Sequence, residues 1–276
     1  MKQCHYALCA LFATCLPLTA HAESPTDEQA SVESDQPWSF SASSSYSRNA
    51  YRDTSYLASR SVDASVTLGY RFDDNWSLSA DIAGIHQFDG EKGQYWQNAW
   101  IKAKYADLYQ PTENLSFSAG MRVLIPLSET AQKSDLSTAI RADLSLSYDM
   151  AFLLEGLTLT DSVRIRKNFH RYTTVGTTQL EEYRLSNSFG LTYEFGDWWL
   201  STTIDSSTSW TYRGNEYSPE FSHSEELGYN VTENISLAVG LTNSARYFDA
   251  DRGPNPIDTL FDLDKPTYYL SITYNY

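Results

Sequence analysis

The chain has 276 residues, a formal net charge of −15 and 41% hydrophobic residues. So acidic a chain is a poor partner for nucleic acid, whose phosphates call for a basic surface. Its one continuous apolar run, around residues 7–20, is shorter than the ~20 residues a spanning helix needs, so no membrane helix is predicted.

Lys2 precedes that run, and Ala20-His21-Ala22 follows it with the small-x-small pattern of a cleavage site. Residues 1–22 are therefore expected to be a secretory signal. Cys4, Cys9 and Cys15 all lie inside it, so the exported chain is expected to owe nothing to disulfides. Phe12 and Thr14 do not suit a lipoprotein signal ahead of Cys15. Residues 23–36 carry Glu23, Asp27, Glu28, Glu33 and Asp35 with no basic residue, which predicts a disordered acidic leader in the periplasm.

From residue 37 to 276 the pattern is period two, the signature of strands. Trp38, Phe40, Ala42 and Tyr46 oppose a face of serines. Val62, Ala64, Val66, Leu68, Tyr70 and Phe72 alternate with polar residues, and Asp73-Asp74-Asn75 turns the chain into Trp76, Leu78, Ala80 and Ile82. The same alternation marks Ala99–Tyr105, Leu115–Ile125 and Ile140–Tyr148. A seventh strand, Leu157–Phe169, carries Asp161 and Lys167 on its apolar face. Tyr183–Phe195, Trp198–Tyr212, a poor Phe221–Tyr229 with Glu225 on the wrong face, and Ile235–Tyr247 follow. The twelfth strand is PTYYLSITYNY, in which Tyr268, Leu270, Ile272, Tyr274 and Tyr276 share one face.

Twelve strands is an even number, as a closed antiparallel barrel with both ends of the chain on one side requires. Links near 73–75, 106–114, 149–156, 196–197 and 230–234 are expected at the periplasmic end. Longer ones near 48–60, 87–95, 127–137, 170–181, 213–220 and 248–265 are expected outside. The aromatics then sort into a periplasmic belt (Trp38, Phe72, Trp76, Tyr105, Tyr148, Phe195, Trp198, Tyr229, Tyr276) and an outer belt. The outer belt comprises Tyr46, Phe88, Tyr95, Phe169, Tyr183, Tyr212, Phe221, Tyr247 and Tyr268. A soluble sandwich would alternate too, but has no reason to bracket each apolar stripe with aromatics. The fold class is therefore an all-β, twelve-stranded, up-and-down transmembrane barrel.

The face opposite the apolar stripes is mostly Ser, Thr and Gly, which leaves room for water in the lumen. Its basic members are Lys102, Lys104, Arg122, Arg141, Arg164, Arg166 and Arg184, from strands four to eight. The acids Asp63, Asp81, Asp205 and Glu226 come mainly from the other arc, and Asp143 lies within the basic one. Segregated charge of this kind sets up a field across the lumen that draws anions to one wall. Arg166 is expected nearly opposite Arg184, a repulsive placement unless an anion or the acids Asp143 and Glu182 lie between them.

In its closing aromatic strand the chain resembles Gram-negative outer-membrane barrels. In strand number, length and basic inward residues it is similar to the small monomeric porins that pass acidic oligosaccharides, such as the oligogalacturonate-specific family. The resemblance is architectural and carries no residue-by-residue motif, so the solute is not implied. It implies outer-membrane lipid and lipopolysaccharide as surroundings, recognition of the last strand by the assembly machinery, and passive diffusion of small hydrophilic, anionic solutes.

Chemistry is tested against two alternatives, a lipid-modifying enzyme and a closed structural or adhesion barrel. His223-Ser224 is the one His-Ser neighbour, and adjacent strand residues point to opposite faces, so they form no dyad. His86, His170 and His223 fall near the outer rim of separate strands. No zinc or nucleotide motif is present, so no metal, cofactor or catalytic residue is assigned. Asp249, Asp251, Asp258, Asp262 and Asp264 make the last outer loop acidic without the full spacing of a calcium loop.

Overall fold

The computed structural model describes residues 36–52, 55–90, 92–246, 248–249, 253–254 and 266–276. The segments expected to be signal and, save residue 36, leader lie outside the described residues, as do Asp251, Asp258, Asp262, Asp264 and Tyr247.

Twelve long strands form the wall: β1 (Trp38–Asn49), β2 (Arg60–Arg71), β3 (Trp76–Gln87), β4 (Ala99–Thr112), β5 (Leu115–Ile125) and β6 (Leu136–Asp149) come first. They are followed by β7 (Leu157–His170), β8 (Glu181–Phe195), β9 (Trp198–Thr211), β10 (Glu220–Asn230), β11 (Ile235–Arg246) and β12 (Thr267–Asn275). Each pairs antiparallel with its neighbours in sequence, and β12 pairs with β1 from Ser41↔Asn275 to Asn49↔Thr267. The ring is therefore closed and leaves no open edge, the condition for a sheet in lipid. Phe40 and Tyr276 seal the seam by exchanging backbone hydrogen bonds of 2.9 and 2.8 Å.

Burial is inverted relative to a water-soluble sheet. In β2 the aliphatics Val66 and Leu68 are exposed while Ser61 and Asp63 are buried. In β12 the exposed residues are Tyr268, Leu270, Ile272 and Tyr274, and Tyr276 just beyond it is exposed too. An apolar surface that runs around the whole wall is stable against hydrocarbon and not against water. The aromatics at the short-turn end pack on one another: Trp38 on Tyr70, Tyr70 on Phe72, Trp76 on Tyr105 and Trp198 on Tyr229, with centroids 4.6–5.0 Å apart.

The turns explain which end is short. Asp73 Oδ1 accepts from the amides of Asn75 and Trp76 and fixes the β2–β3 turn. Gly196, at φ +63, supplies the left-handed residue of the two-residue β8–β9 turn. Thr232 Oγ1 accepts from the amides of Asn234 and Ile235 between β10 and β11. The link expected at 106–114 is a correction: β4 runs on to Thr112 with irregular pairing near Tyr109, and only residues 113–114 connect it to β5. At the opposite end a four-residue strand (Gly93–Trp96) pairs with β3, and a short helix (Glu129–Lys133) is capped by Ser128 Oγ.

Candidate functional site

The inner wall holds the polar residues by simple alternation, and register decides which of them meet. Lys102 on β4 pairs with Arg122 on β5, Arg122 with Arg141 on β6, Arg141 with Arg166 on β7, and Arg166 with Arg184 on β8. Five consecutive strands thus contribute one basic residue each to a single cross-strand row. It spans about 19 Å at the usual strand spacing. Because barrel strands tilt by ~35–45°, a directly paired row climbs the wall instead of circling it. It starts three positions from Tyr105 and ends beside Tyr183, the expected members of the two aromatic belts. A second row one step lower brings Lys104, Asp143 and Arg164 together, through Gly120.

Like charges on adjacent strands repel, and two carboxylates offset this. Asp143 reaches Arg141 at 2.8 Å and Arg122 at 3.6 Å. Glu181 lies between Arg166 at 2.5 Å and Arg184 at 2.8 Å. Glu182, the expected neutraliser, pairs with Lys167 instead, at 3.4 Å. A bulge between Glu181 and Tyr183 shifts the alternation by one residue and exchanges the two glutamates. Arg184 also reaches Glu220 at 3.5 Å, and Glu220 reaches Arg246 at 3.0 Å. An alternating chain of charge therefore crosses the outer mouth from β7 to β11. Glu181, Glu220 and Arg246 were legible only as charged strand ends.

The acids of the other arc are separate from one another. Asp63 accepts from Ser61 Oγ and Gln97 Nε2, both at 3.2 Å. Asp81 pairs in register with Trp100, whose ring stacks 5.6 Å from the Arg141 guanidinium. Asp205 stands in register between Ser188 and Ser222. Glu226 is the most constrained: Trp199 Nε1 donates to one carboxylate oxygen at 3.2 Å and Tyr269 Oη to the other at 2.9 Å. The two rings fit because glycines lie beneath them. A Cβ on Gly228 would come within 1.9 Å of Trp199, and one on Gly240 within 2.4 Å of Tyr269. In a ring of twelve, β10 lies opposite β4, so Glu226 faces the foot of the basic row. Glu226 and Lys102 are each three residues from a belt aromatic, Tyr229 and Tyr105.

His223 and Ser224 point to opposite sides of β10, as expected from alternation. Tyr212 leaves the belt: its hydroxyl donates to the Asn168 carbonyl at 2.7 Å and accepts from the His170 amide at 3.0 Å.

No protein-family model matches the chain, and no curated protein matches it by sequence. Solved structures do match. The NanC porin aligns with a TM-score of 0.53 at 12% identity, covering 84% of this chain and 98% of that one. An outer membrane channel from Pseudomonas putida F1 aligns with a TM-score of 0.56 at 9% identity, covering 86% of this chain and 95% of that one. The KdgM porin aligns at 14% identity with a TM-score of 0.48 over 84% of this chain and 98% of that one. At these identities the likeness is one of fold. With its closed ring, exposed apolar band and packed aromatics at the short-turn end, the chain is a twelve-stranded antiparallel transmembrane β-barrel and shares its fold with these outer-membrane structures.

Proposed function

We propose that the barrel is a passive channel of the Gram-negative outer membrane for small hydrophilic solutes, with a preference for anions. The observation that carries this is the row Lys102–Arg122–Arg141–Arg166–Arg184, five cations on adjacent strands against the two carboxylates placed among them. Its surplus cationic charge lines one wall, Glu226 stands on the opposite wall, and an anion entering the lumen is drawn along the row. The NanC structure is that of a porin, and the Pseudomonas putida structure that of a channel, which supports the same reading. Such work needs pore width and fixed charge, not a reacting group, so no catalytic role is assigned. The lipid-facing wall is embedded in outer-membrane lipid and lipopolysaccharide, and β12 is the strand the assembly machinery takes up.

The test is a planar-bilayer recording with a salt gradient. Stepwise conductance with a reversal potential on the anion side is expected. A protein that inserts and folds yet stays electrically silent would overturn the reading.

A further inference from the structure

Glu226 differs from the other carboxylates of the inner wall in what holds it. Asp143 and Glu181 each lie between two guanidinium groups, which offset their charge on the spot. The two donors to Glu226, Trp199 Nε1 and Tyr269 Oη, are both neutral. Among the described residues no Lys or Arg forms an ion pair with it. Its negative charge is therefore fixed in place and not offset on its own wall.

The support around it is specific. Trp199 is buried over Gly228 and Tyr269 lies over Gly240, so both rings are seated where a side chain beneath would displace them. In register Glu226 stands between Ser201 and Gly240, two small residues that leave the carboxylate open to the lumen. A carboxylate offers about four acceptor positions, of which the two aromatic donors take two. The group that best matches the rest is a donor that also carries positive charge, such as an ammonium. Across the lumen stands the foot of the basic row, Lys102 with Arg122 beside it. Twelve strands ~4.8 Å apart and tilted by ~40° close a ring roughly 24 Å across. Side chains reaching in from both walls leave on the order of 12 Å between Glu226 and that row, about the length of three or four extended residues. A plain anion at this level is attracted by one wall and repelled by the other, whereas a zwitterion satisfies both.

We infer that Glu226, held by Trp199 and Tyr269, is a binding subsite for the ammonium end of zwitterionic solutes whose acid end meets the basic row. The inference rests on the channel reading above and narrows its solute class to molecules with an amine and an acid several bonds apart, short peptides among them. The row draws the acid group in, and Glu226 turns the repulsion a plain anion would meet there into a contact.

The experiment is block of the single-channel current in planar bilayers at neutral pH, with triglycine as the probe. N-acetyltriglycine lacks its ammonium and triglycine amide lacks its acid. Blocking constants are taken from the concentration dependence and extrapolated to zero voltage, because the two controls carry net charge. In the unaltered chain triglycine should bind tighter than either control by roughly threefold or more, the worth of one charge contact in a watery lumen. Glu226→Gln, shown to be folded by circular dichroism, should bring triglycine down to the level of N-acetyltriglycine. Asp205→Asn removes the same charge from the same arc away from the subsite and should keep the preference. No preference in the unaltered chain, a preference kept in Glu226→Gln, or equal loss in both variants overturns the inference and leaves the channel reading standing. A folded barrel that carries no current overturns both.

Discussion

Arg166 and Arg184 are directly opposed on β7 and β8, and the Glu181 carboxylate bridges them at 2.5 and 2.8 Å. Two guanidinium groups that would repel are thereby held side by side at the outer end of the basic row. Glu181→Gln leaves the shape and removes the charge between them. It is expected to destabilise the barrel by about 1–3 kcal/mol, since two half-buried cations lose their shared partner. The denaturant midpoint for unfolding from detergent reads this directly, and anion selectivity should rise in the same variant.

Charge reversal on the row should act in the opposite direction. At ~8 Å in a watery lumen one unit charge is worth roughly 0.5 kcal/mol, so a two-unit change is worth about 1 kcal/mol. Arg122→Glu or Arg166→Glu should therefore lower the anion-to-cation permeability ratio by roughly fivefold. The ratio comes from the reversal potential in a salt gradient. A comparable change on the lipid side, Lys167→Gln, should leave it unmoved.

Glu226→Gln removes the fixed acid opposite Lys102 while keeping acceptors for Trp199 and Tyr269 on one oxygen. Anion selectivity should increase, by roughly half the effect of a two-unit reversal. A decrease would mean that the carboxylate does not face the ion path.

Gly228 supports Trp199 by having no side chain: a Cβ there would stand 1.9 Å from the ring. Gly228→Ala must push the indole off the wall and away from Glu226, with an expected loss of about 1–3 kcal/mol. Trp199 fluorescence and the unfolding midpoint should both shift, whereas Gly214→Ala, in open space at a turn with φ +77, would report backbone strain alone.

Outside the span, Asp89 accepts two bonds from Arg60, at 2.7 and 2.8 Å, and the guanidinium holds its carboxyl below the ordinary carboxylate range. A group whose pKa is lower folded than unfolded contributes fully above the ordinary range. That contribution disappears as the pH falls through the folded value. Amide protection around Phe88 and Asp89, measured against the intrinsic exchange rate at each pH, should fall on acidification, and Arg60→Gln should abolish that pH dependence.

Much of this molecule was readable from alternation alone. The sets Val62–Phe72 and Tyr268–Tyr276 alternate as strands with one oily face, and the aromatics at both ends of such stripes pointed to lipid as the place for it. The basic arc was likewise visible, because parity assigns Arg122, Arg141 and Arg166 to one side whatever their neighbours. What the sequence could not supply was register. That Lys102, Arg122, Arg141, Arg166 and Arg184 fall into one row depends on hairpin offsets accumulated over five strands. The exchange of Glu181 for Glu182 depends on a single bulge that local pattern does not announce. The meeting of Trp199, Glu226 and Tyr269 depends on the register of β9, β10, β11 and β12, and β12 reaches β11 only across the last and longest outer link. Facing is a local property of a strand and is written in its residues. Adjacency belongs to the closed sheet, so only the tertiary structure decided which charges share a partner.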